Sequence, residues 1–377
     1  MTDPTTPGPT TPDPAGPDSP HAIIDLAVAF WKSKVLLSAV ELKVFAALAE
    51  HPSTGQELSA RLGITGRGGA DFLDALVSMG LLERRDGVYH NSPLADRHLD
   101  PAKPATDISG YLEFLNAGFP CWAGLTEGLR TGGRLDFTRA LAASGNSEGS
   151  GEAAPTEPAL VEADADSDTF GEAFAAPDQV TGFLRAMTGY SMGANHALAE
   201  THDWRNVRTV VDVGCAEGSL LAQILTRHEH VEGIGFDLPV VEEGFTAHTK
   251  QLGIADRVRF EGGDFFTGPL PTADVLVMGH VLHDWDLGIK KMLIRKAYEA
   301  LPEGGSLLIY ESLIDDDRRD RTTGLLISLN VSLVSAGGLG YTGADCRSWL
   351  EEAGFTATSV RHLDGPEYLV VGTKTAT

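Results

Sequence analysis

Positive charge, cysteine and long apolar runs are what this 377-residue chain has least of. Lysines and arginines number 29 against 53 aspartates and glutamates, a formal net charge of -24. Nucleic acid and anionic membranes are recognised by clustered cations, so neither is expected as a partner. Three cysteines, Cys121, Cys215 and Cys346, lie far apart with no CxxC pair. That excludes a disulfide framework and a thiolate zinc site; no metal is expected, and reduced thiols suit a cytoplasmic protein. No stretch approaches the roughly 18 consecutive apolar residues of a membrane helix. The N-terminus has no basic region leading into an apolar core, so no secretory signal is expected.

What is present falls into several textures. Residues 1–20, MTDPTTPGPTTPDPAGPDSP, offer almost nothing to bury and read as a disordered tail. From about His21 the pattern is helical, with Leu37, Val40, Val44 and Leu48 on one face. In STGQELSARLGI, Ser53 is the expected N-cap of a short helix stopping at Gly63. GADFLDALVSMGLL reads as a third helix and LERRDGVYHNS as a hairpin turning at Asp86-Gly87. Helices followed by a hairpin make the winged-helix pattern, assigned to residues 21–100. Residues 101–180 read as a helical linker. It is interrupted at 140–168 by an acidic, Gly/Ser/Ala/Pro-rich insertion expected to be a solvated loop, with helix on either side of Pro177.

The last stretch, 181–377, alternates strand and helix from Val207 onward. RTVVDV, EGIGFD, RVRFEGG, ADVLVMG and GSLLIYES are candidate strands. Near-continuous Val/Ile/Leu runs suit a parallel sheet covered on both faces. TATSVRHL and EYLVVGTK close the chain as an antiparallel pair.

Gly214 and Gly218 in VVDVGCAEGSLLAQIL fall in the turn before a helix, where backbone can approach a ligand closely. About 20 residues on, GFDLP puts Asp237 at the end of the second strand, positioned for ribose hydroxyls. EGGDFF places Asp264 and Phe265 at the end of the third, to hold an adenine amino group and pack on its ring. The spacing is D-x-G-x-x-x-G rather than the dinucleotide G-x-G-x-x-G. Asp212 and Glu217 put negative charge where a pyrophosphate would be repelled and a sulfonium tolerated. S-adenosylmethionine is therefore expected over NAD, and an NAD-linked dehydrogenase is set aside.

With VVDVGCAEG, GFDLP, GGDFF, HVLHDWD, LPEGGSLLIYES and LEEAGF in that order, the chain resembles the class I S-adenosylmethionine-dependent methyltransferases, specifically the caffeate- and hydroxyindole-type small-molecule O-methyltransferases. The resemblance implies a Rossmann-like α/β domain: a mostly parallel seven-stranded sheet with an antiparallel C-terminal strand, preceded by a helical winged-helix dimerisation domain. It implies a homodimer, through a helix that here carries Phe30, Trp31, Val35 and Leu36, and a small, aromatic or polyketide-like acceptor. It makes His283 of HVLHDWD the general base and Glu311 of IYES its orienting carboxylate. Imidazole, with a pKa near ~6.5, can take the proton of a phenol whose own pKa is near ~10. Leu238 and Gly279 fall on the cofactor side; Phe183, Met187, His280 and Asn330 on the acceptor side. Asp284 is expected to cap the helix that follows, Trp285 to pack beneath the cofactor, and His202, His228 and His230 to lie at the surface.

Two departures stand out. Relatives often carry Lys or Arg where this chain has Gly279, and many carry a second glutamate in a GGxERT-like segment where this chain has Gly340 and Tyr341. His283 is then left with one carboxylate partner, and C- or N-methylation remains open. The winged helix also raises a DNA-binding regulator, but its recognition-helix candidate RGGADFLDALVSM has one arginine against two aspartates.

Overall fold

The computed structural model describes residues 19–132, 134–135, 160–161, 174, 177–335 and 337–375. They divide into two compact units, one ending at Ser92 and the other beginning at Pro93. Of the tail expected at 1–20, residues 1–18 lie outside the described residues, as does most of the insertion expected at 140–168; Ser19 and Pro20 are instead the cap and first residue of a helix.

The first unit holds α1 (Pro20–Glu41), α2 (Val44–Glu50), β1 (Ser53–Thr54), α3 (Gly55–Arg61), α4 (Gly69–Ser78), β2 (Leu82–Arg85) and β3 (Val88–Asn91). The strands form a sheet of order β1-β3-β2, the wing. The single helical face read through Leu37, Val40, Val44 and Leu48 is broken between the last two pairs. Lys43 takes a left-handed φ of 59°, yet all four side chains stay buried. Thr54, not Ser53, caps α3: its hydroxyl accepts from the Glu57 N–H while Glu57 bonds back to the Thr54 N–H at 2.9 Å. Asp86 and Gly87 both have positive φ, the conformation a two-residue hairpin turn requires. On α4, Leu73 and Leu76 are fully buried, and Asp74 accepts bonds from Arg84 and Tyr89 of the wing.

The second unit opens with α5 (Pro93–His98), α6 (Ser109–Trp122) and α7 (Leu125–Thr131). β4 (Arg134–Leu135) pairs antiparallel with β5 (Leu160–Val161), the one described part of the expected insertion. The long α8 (Pro177–Thr201) follows. It starts at Pro177 and runs through the expected 180/181 boundary, because proline is well tolerated in the first helical turn. Then come β6 (Thr209–Val213), α9 (Ser219–Arg227), β7 (Glu232–Asp237), α10 (Glu242–Gln251), β8 (Val258–Gly262) and β9 (Val275–Gly279). α11 (Leu287–Ala300), β10 (Ser306–Glu311), α12 (Thr322–Val334), α13 (Gly343–Ala353), β11 (Ala357–Asp364) and β12 (Glu367–Thr373) complete it.

The seven strands run in the order β11-β12-β10-β9-β6-β7-β8. β10, β9, β6, β7 and β8 are parallel; β12 is antiparallel to both β10 and β11. The sheet is buried on both faces, as its aliphatic strands require. Val211, Leu276, Leu293 and Ile294 pack in one core and Val210, Val277, Leu198 and Ile224 in the other. β6 has β7 on one side and β9 on the other, so the chain reverses its winding direction there. Such a switch point opens a crevice beyond the carboxyl ends of the strands. No helix among the described residues is long and apolar enough to cross a membrane.

Candidate active site

The turn after β6 crosses this crevice. Gly214, Ala216 and Gly218 have φ of 76°, 46° and 77°. A Cβ at Gly218 would lie 2.7 Å from the Phe245 ring, so glycine is required there for space as well as conformation. Asp237 ties the turn to β7: its Oδ2 accepts from the Ala216 N–H at 2.9 Å and its Oδ1 from the Leu238 N–H at 2.8 Å. Burial pushes Asp237 up to about 6 against these two bonds. Burial, with the Asp237 carboxylate nearby, pushes Asp212 up to about 7.

A cavity of about 480 Å³ lies over these strand ends. Asp212, Gly214, Asp237, Leu238, Asp264 and Phe265 all line it, as do Gly279 and His280 from the β9 side and Phe183 and Met187 from α8. Gly218 stands just outside, at the head of α9. Asp264 accepts from the Phe266 N–H at 2.8 Å, and Trp285 meets the Phe265 ring edge-on at 5.8 Å. Asn330 is not among the lining residues; its Oδ1 accepts from Trp122 Nε1 at 3.0 Å, fastening α12 to α6.

Gly279 has a steric cause. β9 and β10 pair Gly279 with Tyr310, and a Cβ at 279 would lie 2.0 Å from the Tyr310 ring. The Tyr310 hydroxyl donates to Asn195 Oδ1 at 2.6 Å, which fixes the ring. A Lys or Arg has no room here.

After β9 the chain makes a single 3-10 turn, Leu282–Asp284, that carries His283. Glu311 at the end of β10 organises it: Oε1 accepts the N–H groups of Leu282 at 2.8 Å and His283 at 3.1 Å. Its Oε2 lies 3.5 Å from His283 Nδ1, and the other ring nitrogen lies 3.5 Å from Asp284 Oδ1. The reading of one carboxylate partner is thereby corrected to two, the second coming from the very next residue. Burial alone would lower the imidazole, but Asp284 and Glu311 outweigh it and raise His283 to about 9. Burial in turn raises Asp284 to about 6, opposed by His283. His283 and Glu311 adjoin the cavity wall through Asp284, which lines it.

Asp284 does not cap α11. Asp286 does, accepting from the Ile289 N–H at 2.9 Å. The segment that replaces the second glutamate buttresses the same turn. Leu339 donates its N–H to the His283 carbonyl at 2.8 Å, and the buried Lys290 ammonium bonds the carbonyls of Leu339, at 2.9 Å, and Trp285. A Cβ at Gly340 would lie 2.8 Å from Ser328 Cβ, so no glutamate fits. Lys290 escaped the sequence reading; its signal was a charge on the face of α11 that also carries Leu293, Ile294 and Ala297. Of the histidines expected at the surface, His230 is exposed, while His228 and His202 are half-buried. His228 and His230 bond the carbonyls of Ala199 and Trp204 at 2.8 and 2.9 Å, and the His202 ring meets Trp204 edge-on.

Carboxylates at successive strand ends around one cavity, beside a histidine held by two more, define an enzyme of the nucleotide-cofactor α/β class. The comparisons narrow it. The O-methyltransferase domain family matches residues 165–356 and the O-methyltransferase dimerisation domain family residues 24–101. The chain is 43% identical to a tetracenomycin polyketide synthesis 8-O-methyl transferase of Streptomyces glaucescens, over 94% of this chain and 97% of that one. It is 32% identical to an N,N-dimethyltransferase of Streptomyces rimosus, over 94% and 96%. The crystal structure of human N-acetylserotonin methyltransferase in complex with S-adenosylmethionine superimposes with a TM-score of 0.81 at 25% identity, covering 97% of this chain and all of that one. The chain belongs to the O-methyltransferase family.

Proposed function

We propose that this protein methylates a hydroxyl of an aromatic, polyketide-like metabolite using S-adenosylmethionine, with His283 as general base. The observation that carries this reading is the His283 imidazole, set between Glu311 and Asp284 beside a cavity with carboxylates at its strand ends.

The cavity suits that cofactor on its own chemistry. Asp212, Asp237 and Asp264 surround it with acceptors and negative charge, which attracts a sulfonium and repels a pyrophosphate. Asp237 would take the ribose hydroxyls on the lone pairs its two backbone bonds leave free; Asp264 and Phe265 would take the adenine. When bound, S-adenosylmethionine supplies an electrophilic methyl group on a sulfonium. Phe183 and Met187 pack the acceptor ring so that its hydroxyl lies in line, and positioning carries much of the rate. His283 takes the hydroxyl proton as the oxygen gains the methyl, and Glu311 and Asp284 stabilise the imidazolium that forms. A polyketide-type acceptor is supported by the 43% identical relative.

A second reading is kept by one observation: the 32% identical relative is an N,N-dimethyltransferase, so the same framework can serve nitrogen. A mass-spectrometric product screen against aromatic polyketide phenols and their amines tests both. Methylated phenol supports the proposal, and products carrying the methyl only on nitrogen overturn it.

The protein is proposed to be a homodimer of the cytoplasm. Support comes from the matched dimerisation family, from Leu26, Phe30 and Trp31 lying 78, 53 and 60% exposed along α1, and from three buried cysteines that form no disulfide.

A further inference from the structure

Beside the base lies a buried polar pair that the mechanism above does not use. His280 follows β9 directly and Glu367 opens β12; both side chains are less than a tenth exposed. Among the described residues, neither ring nitrogen of His280 has a hydrogen-bond partner, and neither does Glu367 Oε2, which lies 3.9 Å from His280 Nε2. The other oxygen of Glu367 accepts from the Ser312 hydroxyl, one residue beyond Glu311. The His280 ring lies 5.8 Å from the His283 ring, between Tyr190 at 4.2 Å and Tyr310 at 5.1 Å.

Packing alone does not account for this. A phenylalanine or leucine would fill the slot between two tyrosines without burying two unsatisfied nitrogens. The backbone is unfavourable as well: His280 has φ of 55°, a left-handed conformation uncommon outside glycine. Strain and unsatisfied polar groups that coincide beside a reacting group are characteristic of functional sites.

We propose that Glu367 is a positioning residue for the base, acting through His280 to hold the His283 imidazole and to supply negative charge beside it as it accepts the acceptor's proton. No proton or bond passes to Glu367; it acts by field and by the fixed packing of the two rings. His280 stays neutral, since burial drives its imidazole well below the usual range. Glu367 is raised to about 7, first by burial and then by Glu311 and Asp364, against the Ser312 bond and His283. Its charge is thus available from neutral pH upward. The other titratable groups around the pair are Tyr111 of α6 and Tyr190 of α8, both raised by burial and by Glu367, and Tyr310 of β10, raised by burial and by Asp212. Asp284 faces His283 from its own turn, Lys290 of α11 lies near Glu311 and Asp284, and Tyr341 lies against Glu311.

The inference rests on His283 being the base, so the test separates the two. Histidine ring resonances of the isotope-labelled free protein, with His283 assigned through His283→Gln, give its titration without any cofactor. Removing a negative charge makes protonation of His283 harder, so Glu367→Gln, which can keep the Ser312 bond, should lower its midpoint by about 0.5–1.5 pH units. Glu367→Asp should restore part of that shift. The acid limb of kcat/KM should move to lower pH in parallel, with a plateau three- to tenfold lower. If Glu367→Gln does not fold, His280→Asn, whose side chain tolerates the left-handed backbone, should move the midpoint the same way. An unmoved His283 midpoint in a folded variant overturns the role of Glu367. Undiminished turnover in His283→Ala would instead overturn the base itself.

Discussion

Tyr310 occupies the space that any side chain at position 279 would need. The two residues pair across β10 and β9, and the tyrosine is held there by Asn195. Gly279 is therefore coupled to the tyrosine on the neighbouring strand. Gly279→Ala should destabilise the protein by about 1–3 kcal/mol, the usual cost of overpacking a filled core. In a Tyr310→Ala background the same substitution should cost much less, which thermal melts of the four proteins in the cycle would show.

Asp237 is the acceptor at the end of β7, and its backbone bonds hold the β6 turn in shape. Asp237→Ala should weaken S-adenosylmethionine binding by about 1.5–3 kcal/mol, the loss of hydrogen bonds to a charged group. Calorimetry measures it directly, and unchanged affinity would remove Asp237 from the site.

The buried carboxylates give cofactor binding a pH dependence of defined sign. Asp212 and Asp237 are raised to about 7 and about 6 in the free protein. A cation favours their ionised forms, so binding must release protons wherever they are protonated. Affinity for S-adenosylmethionine should be complete above about pH 8 and fall as pH drops through 7 to 6. S-adenosylhomocysteine, which lacks the sulfonium charge, should lose less over the same range.

His283→Ala should leave cofactor binding nearly intact and lower kcat about 10²–10⁴-fold. Glu311→Gln should cost less, since Asp284 still faces the ring, and the double mutant should be scarcely worse than His283→Ala. A base works only when neutral, and this one is raised to about 9. Wild-type kcat/KM should therefore climb with pH through the 7–9 range, higher than an ordinary histidine would give. That limb should vanish in His283→Ala.

The exposed apolar residues of α1 make the dimer testable. Leu26→Glu with Trp31→Glu should yield a smaller species in sedimentation velocity. A variant that sediments as wild type does would place the interface elsewhere.

The strands, their order of appearance and the carboxylates near their ends were legible in the sequence, because each strand-like run carries its aspartate close to the carboxyl end: Asp212 in β6, Asp237 closing β7 and Asp264 just beyond β8. The second partner of His283 was not. Gly340 signalled a missing carboxylate, but nothing in the chain order says that a one-turn helix folds Asp284 back to the neighbouring imidazole. Lys290 and the Tyr310–Gly279 contact were hidden for another reason: each depends on a contact between segments distant in sequence. Asn330 was assigned to the acceptor because a polar residue in an apolar helix needs a partner; it has one, but the partner is Trp122.

α8 lines the cavity along its length, and two of the lining residues also bond elements of the sheet side. Thr188 donates to Glu217 and Asn195 accepts from Tyr310, which fix the helix in register with β6 and β10. Phe183 and Met187, one turn apart, also line the cavity, and Phe183 meets the Phe114 ring of α6 edge-on at 6.2 Å. On the proposed reading, Thr188 and Asn195 are the footing that keeps the reaction geometry, and Phe183 and Met187 are the surface that reads the acceptor. Evolution or a protein engineer could exchange 183 and 187 to retarget the enzyme while its proton chemistry stays in place.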